Sequence, residues 1–151
     1  MNNTVISGGG TFNARDAVLT VNGVTGLVIE SGSTMETLSS STQLTGTGPL
    51  TVNGTFKWNR GDIIGSAPFT VNGTLDINGI STRDLNGRTL TVNGLMKWSS
   101  DGVLRLLNNA QVLNQAGGTI DMQADGSIDF FAPGGGTVTN NGTFQKTGGA
   151  V

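Results

Sequence analysis

The sequence predicts an all-β fold, a single-stranded parallel β-helix or β-solenoid, and three observations predict it. LTVNG occupies residues 19–23, 50–54 and 90–94, and FTVNG occupies 69–73. Between these copies run short apolar alternations broken at Asn-Gly, Asp-Gly or Gly-rich corners, with 25 Gly in 151 residues. Successive units also align into columns of matching chemistry. About 20 residues carrying three short strands is the size of one solenoid rung.

Length fits one domain, 1–151. A net charge of −2, with Val, Ile, Leu and Thr throughout, separates the chain from disordered Gly-rich sequences. It has no Cys and no His, which removes disulfides, thiol nucleophiles, imidazole acid/base chemistry and most transition-metal ligand sets, so no cofactor is expected. No window reaches the roughly 18 apolar residues of a membrane span, and the N-terminus lacks the basic and apolar regions of a signal peptide. Export information, on this reading, was removed or lies outside the chain. Eight Lys and Arg against ten Asp and Glu, with no basic run, give no footprint for nucleic acid.

Taken in order, the chain starts within a strand-like segment, TVISGGGTF (4–12). A long unit of 31 residues follows at 24–54, whose Ser/Thr-rich stretch around 38–49 is expected to bulge outward as a loop. Units 55–73, 74–94, 95–118 and 119–142 are 19 to 24 residues long, and TFQKTGGAV begins another rung in which the chain stops. No capping helix is expected, and a helical period is visible only as a possible short run at Leu104–Asn109. Asn-Gly also favours two-residue hairpins, the main rival to a solenoid.

Two column patterns favour parallel stacking. The third position of successive units reads Lys57, Asp76, Lys97, Asp121 and Gln145. It is flanked by Phe56, Leu75, Met96, Ile120 and Phe144 on one side and by Trp58, Ile77, Trp98 and Met122 on the other. Alternate residues of a strand share a face, so the apolar columns point inward and the charged column outward. Stacked strands lie about 4.8 Å apart, where alternating sign attracts.

In the repeated pentapeptide, Leu19, Leu50, Phe69, Leu90 and Val138 are expected inside, with Thr20, Thr51, Thr70, Thr91 and Thr139 as an outward row. The corner that follows is Asn22-Gly23, Asn53-Gly54, Asn72-Gly73, Asn93-Gly94 and Asn141-Gly142. Gly and Asn tolerate sharp bends, and stacked Asn amides hydrogen-bond along the axis.

LTVNGTF (50–56), FTVNGTL (69–75) and TNNGTFQKTGG (139–149) resemble bacterial secreted and surface β-helix proteins, such as autotransporter passengers and filamentous-haemagglutinin-like adhesins. The resemblance implies a right-handed coil, export to the cell surface or medium, and service as a stalk, fibre or binding platform.

Four features invite a chemical reading. Trp58 and Trp98 are the only residues suited to sugar stacking, but alternation places them in the core with Phe56 and Phe144. Asp121, Asp125 and Asp129 suggest a carboxylate pair for glycoside cleavage, yet Asp101-Gly102 and Asp125-Gly126 read as equivalent corners and Asp129 aligns beside Arg105. The GGxGxD repeat of calcium-built solenoids is absent. Thr-x-Thr, the pattern of an ice-binding face, occurs only at 89–91 and 137–139 in the outward row, against Val18, Pro49 and Pro68 elsewhere.

The expected function is thus a non-enzymatic, extracellular structural or adhesive solenoid. It either self-associates end to end through Thr4, Val5, Ile6, Phe12, Thr143 and Phe144, or forms part of a larger surface protein beside flanking repeats. Carbohydrate binding or cleavage, with surface glycans as partners, is the alternative, and ice binding the third reading.

Overall fold

The computed structural model describes residues 1–132 and 134–150. Twenty strands wind through about seven rungs of a parallel β-solenoid, with no helix among the described residues. The first rung is β1 (Asn2–Ile6), β2 (Thr11–Ala14) and β3 (Val18–Thr20). The second is β4 (Asn22–Ile29), β5 (Thr34–Thr37) and β6 (Gln43–Thr45), and the third β7 (Leu50–Val52), β8 (Thr55–Trp58) and β9 (Asp62–Ile64). Then come β10 (Phe69–Val71), β11 (Thr74–Ile77) and β12 (Thr82–Asn86), followed by β13 (Thr89–Val92), β14 (Leu95–Trp98) and β15 (Val103–Leu107). The last strands are β16 (Ala110–Asn114), β17 (Thr119–Met122), β18 (Ser127–Phe130), β19 (Gly136–Asn140) and β20 (Thr143–Lys146).

Equivalent strands stack into three parallel sheets. Sheet A runs β1-β4-β7-β10-β13-β16-β19, sheet B runs β2-β5-β8-β11-β14-β17-β20, and sheet C runs β3-β6-β9-β12-β15-β18. Apart from the eight-residue β4, strands of three to five residues suffice, because all but those at the sheet ends are paired on both edges and alternate residues pack inward. In sheet B the inward column is Phe12, Met35, Phe56, Leu75, Met96, Ile120 and Phe144, at intervals of 19 to 24 residues. Its middle five members are buried. Fully burying a side chain of this size stabilises by about 1.5–3 kcal/mol, which each rung repeats.

Three elements differ from the sequence reading. Leu104–Asn109 is not helical: Leu104 and Leu106 alternate inward from β15, and Asn108 and Asn109 turn with φ of 52° and 60°. The 38–49 stretch is not an outward loop, since β6 joins sheet C and Thr42 and Leu44 are buried. The first LTVNG is placed differently from the others. Leu19 and Thr20 belong to β3 and pair with Leu44 and Thr45 in sheet C, while Leu27, not Leu19, underlies Leu50. Asn22-Gly23 therefore opens β4 at the C-to-A corner, not the A-to-B corner occupied by Asn53, Asn72 and Asn93. A pentapeptide with alternating parity fits any sheet, so only stacking partners distinguish the two placements.

At the A-to-B corner the requirement for Gly is close approach. A Cβ on Gly73 would stand 2.2 Å from the Gly54 carbonyl oxygen, and one on Gly94 would stand 2.3 Å from that of Gly73. Each corner lies flat on the one beneath.

Candidate functional site

The outer face of sheet B carries the charge ladder. Lys57, Asp76, Lys97, Asp121 and Gln145 are partners in consecutive strands, and the column extends back through Glu36 to Asn13. Lys57 Nζ lies 2.8 Å from Glu36 Oε1, and Lys97 Nζ lies 3.2 Å from Asp76 Oδ2. Glu36 raises the affinity of Lys57 for its proton, first by their hydrogen bond and then by its charge. Glu36 lies inside the 24–54 unit, where only the leading Thr of TMET (34–37) matches TFKW (55–58) and marks its place in the column.

The ladder is outward but not fully open. Asp76 and Asp121 are each only 6% exposed, unlike the exposed carboxylates expected. Short acidic side chains are covered by their neighbours: Ser99 Oγ donates to Asp76, while Gln123 Nε2 (2.8 Å) and Thr147 Oγ1 (2.7 Å) donate to Asp121. Those donors hold the Asp121 carboxyl below its ordinary pKa.

A second column on this face went unrecognised. Thr11, Thr34, Thr55, Thr74, Thr119 and Thr143 stack in register, interrupted only by Leu95. The row expected in sheet A contains Thr51, Thr70, Thr91 and Thr139, but is broken by Leu113, and Thr20 lies in sheet C. Sheet B carries ion pairs beside its Thr column, so neither face is a plain hydroxyl lattice.

At the A-to-B corner, Asn72 Nδ2 donates to Asn53 Oδ1 and Asn93 Nδ2 donates to Asn72 Oδ1, both at 2.9 Å. Asn141 occupies the same corner two rungs beyond Asn93, with Gln115 between them. Asn22, at the other corner, accepts instead from Thr47.

Trp58 and Trp98 are fully buried, and their Nε1 atoms donate to the carbonyls of Gly61 (2.8 Å) and Gly102 (3.1 Å). Neither offers a face to a sugar ring. Asp121, Asp125 and Asp129 are also separated: Asp121 is in sheet B, Asp125 sits at the next corner with Lys146 Nζ at 2.7 Å, and Asp129 is in sheet C accepting from Ser127. The Asp125 amide donates to Asp101 Oδ1, so those two corners stack as expected. Arg105 faces Asp129 in register yet pairs through two hydrogen bonds with Asp84, at 2.7 and 2.9 Å. Among the described residues no three acidic side chains converge to hold a metal ion.

Sequence reasoning missed two buried arginines. Arg88 donates to the carbonyls of Ile64, Gly48, Ala67 and Gly46 at 2.9–3.2 Å, tying the C-to-A corners of three rungs. Arg83 Nη2 donates to the carbonyls of Asn59, Asn78 and Gly79, and burial lowers its pKa to about 10. Parity could have found both, since Arg83 alternates with Leu85 and Arg88 with Leu90.

Phe12 is 40% exposed and Phe144 48%, although both lie in the inward sheet B column. Phe144 is thus not a core aromatic like Phe56. Phe130, in the inward sheet C column with Leu106, is 58% exposed. Beside Phe12, an open groove is lined by Val5, Ile6, Ser7, Gly10 and Thr11. Thr4 and Ile6 are half-buried and Thr143 is exposed.

These features define a parallel β-solenoid repeat protein. Compared with protein-family models, curated proteins and solved structures, the chain matches none.

Proposed function

We propose that the chain is a non-catalytic structural solenoid of the extracellular or surface type, whose rungs are extended by further parallel strands through end-to-end association of copies. The observation that carries this reading is the exposure of Phe12 and Phe144 at opposite ends of a column whose members between them are buried. Three adjacent columns of sheet B end in matching residues: Thr11 and Thr143, Phe12 and Phe144, and Asn13 and Gln145. Stacking β20 of one copy on β2 of the next continues all three. The junction also separates Asp121 of one copy from Glu36 of the next by two neutral amides, so no like charges become neighbours. Sheets A and B would carry the joint, because sheet C has six strands against their seven. Main-chain hydrogen bonds supply affinity, and the columns set the register.

Negative-stain electron microscopy across a concentration series tests the proposal. Uniform filaments one solenoid wide, lengthening with concentration, are expected. Discrete particles at every concentration would sink end-to-end association.

A further inference from the structure

The chain contains seven Asn-Gly steps, at Asn22, Asn53, Asn72, Asn78, Asn86, Asn93 and Asn141. An Asn followed by Gly is chemically labile, because the unhindered Gly nitrogen can attack the Asn amide carbon. This fold treats the steps unequally. The side-chain amides of Asn53, Asn72 and Asn93 bond to one another, Asn86 Oδ1 accepts from Asn108, and Asn22 Oδ1 accepts from Thr47. The attacking nitrogens are also engaged, with Gly54, Gly73, Gly87 and Gly94 donating to the carbonyls of Ile29, Val52, Leu107 and Val71. Among the described residues, Asn78 and Asn141 make no side-chain hydrogen bond, and Gly79 and Gly142 find no acceptor for their N–H. Asn141 is exposed and Asn78 half-buried.

From this contrast we infer that Asn78-Gly79 and Asn141-Gly142 are modification sites, deamidating spontaneously in the folded protein while the hydrogen-bonded steps are held. The Gly nitrogen bonds to the Asn Cγ as its own proton leaves, and the side-chain nitrogen departs as ammonia. Water then opens the resulting succinimide at either carbonyl, giving Asp or isoaspartate. One water is consumed overall, one amide becomes a carboxylate, and no redox partner is involved. Each event adds one negative charge, and the isoaspartate product lengthens the backbone by one methylene. At Asn78 that change falls on the carbonyl that accepts from Arg83. At Asn141 it falls beside β20.

The test is site-resolved mass spectrometry of the folded chain during incubation at mildly alkaline pH, beside a sample held in denaturant. Fragment ions distinguish Asn141 from Asn140 and Asn78 from Asn72. The expected result is a one-dalton gain at Asn78 and Asn141 at least about tenfold faster than at Asn53, Asn72 and Asn93. In denaturant all seven steps should convert at comparable rates. Equal rates in the folded sample, or earlier conversion within the Asn53–Asn72–Asn93 ladder, would overturn the assignment. So would an unreacted Asn78 and Asn141 beside a reacting denatured control.

Discussion

Lys97 lies on Asp76 one rung below it, with Nζ 3.2 Å from Oδ2, and Asp76 in turn lies on Lys57 in the same column. Asp76 is the shielded acidic step between two lysines. Replacing it by Lys places three cations in consecutive strands and is expected to cost about 2 kcal/mol or more, whereas Asp76→Asn should cost about 1. Urea unfolding at low and high salt checks this, because added salt should recover part of the loss in the Lys variant alone.

Arg88 is predicted to stabilise as a corner clamp. Arg88→Met fills similar space but leaves four carbonyls, two in each of the two corners beneath it, without their donor, so a loss of about 3 kcal/mol is expected. Arg88→Lys should recover little, since a single ammonium cannot reproduce the guanidinium fork. Thermal unfolding of the two variants measures both.

Asp62 gives a pH dependence of unusual sign. Burial, followed by the Asp84 charge, raises its pKa above the ordinary value, even though the Asp84 amide donates to it at 3.1 Å. Its protonated form is therefore favoured by folding; that contribution is present below the ordinary carboxylate pKa and is lost as pH rises through the raised value. Asp62→Asn should raise Tm at pH 7 by about 1–2 °C and leave it unchanged near pH 3. Asp121 runs the other way: its lowered pKa contributes stability above the ordinary carboxylate range, lost as pH falls through the lowered value. Asp121→Asn should therefore destabilise at pH 7 and converge with the parent in acid.

Close approach makes Gly73 irreplaceable. Its Cβ would meet the Gly54 oxygen at 2.2 Å and the Asn53 oxygen at 2.5 Å, both backbone atoms that cannot swing aside. Gly73→Ala should cost about 2–3 kcal/mol. Gly10→Ala, whose Cβ meets nothing within 4 Å, should be neutral or slightly stabilising in the same denaturation assay.

The proposed joint has a register that can be trapped. The chain contains no Cys, so the double variant Asn13→Cys/Gln145→Cys introduces the only two thiols. Stacked strands place the two Cα atoms about 5 Å apart across the joint, within disulfide reach, whereas within one molecule they lie at opposite ends of the column. Oxidation should give a ladder of covalent oligomers on a non-reducing gel. Glu36→Cys/Gln145→Cys, one strand out of register, should not. Filaments without the first ladder would retain association and discard this register.

Part of this architecture was legible because it is written in periodicity. The Phe56–Leu75–Met96–Ile120 column and the Lys57–Asp76–Lys97–Asp121 ladder needed only residue spacing and strand parity, and the structure pairs those residues in that register. Asn53, Asn72 and Asn93 were readable as a corner for the same reason. Leu19 and Asn22 were misassigned because a pentapeptide specifies a strand and a bend without specifying which of three sheets receives them. Glu36 was hidden behind that misplacement, whereas Thr55, Thr74, Thr119 and Thr143 open their units and the sheet B Thr column is legible from that first position.

The amino-acid sequence by itself determined that this chain folds as stacked parallel rungs, since alternation fixes which side chains face inward and the repeat fixes what lies above them. Tertiary structure alone decided where the first two rungs divide, which carbonyls Arg83 and Arg88 clamp, and that Phe144 stays exposed while Phe56 is buried. Those outcomes depend on what stands directly above and below each residue, roughly 20 positions away along the chain, where local pattern carries no information.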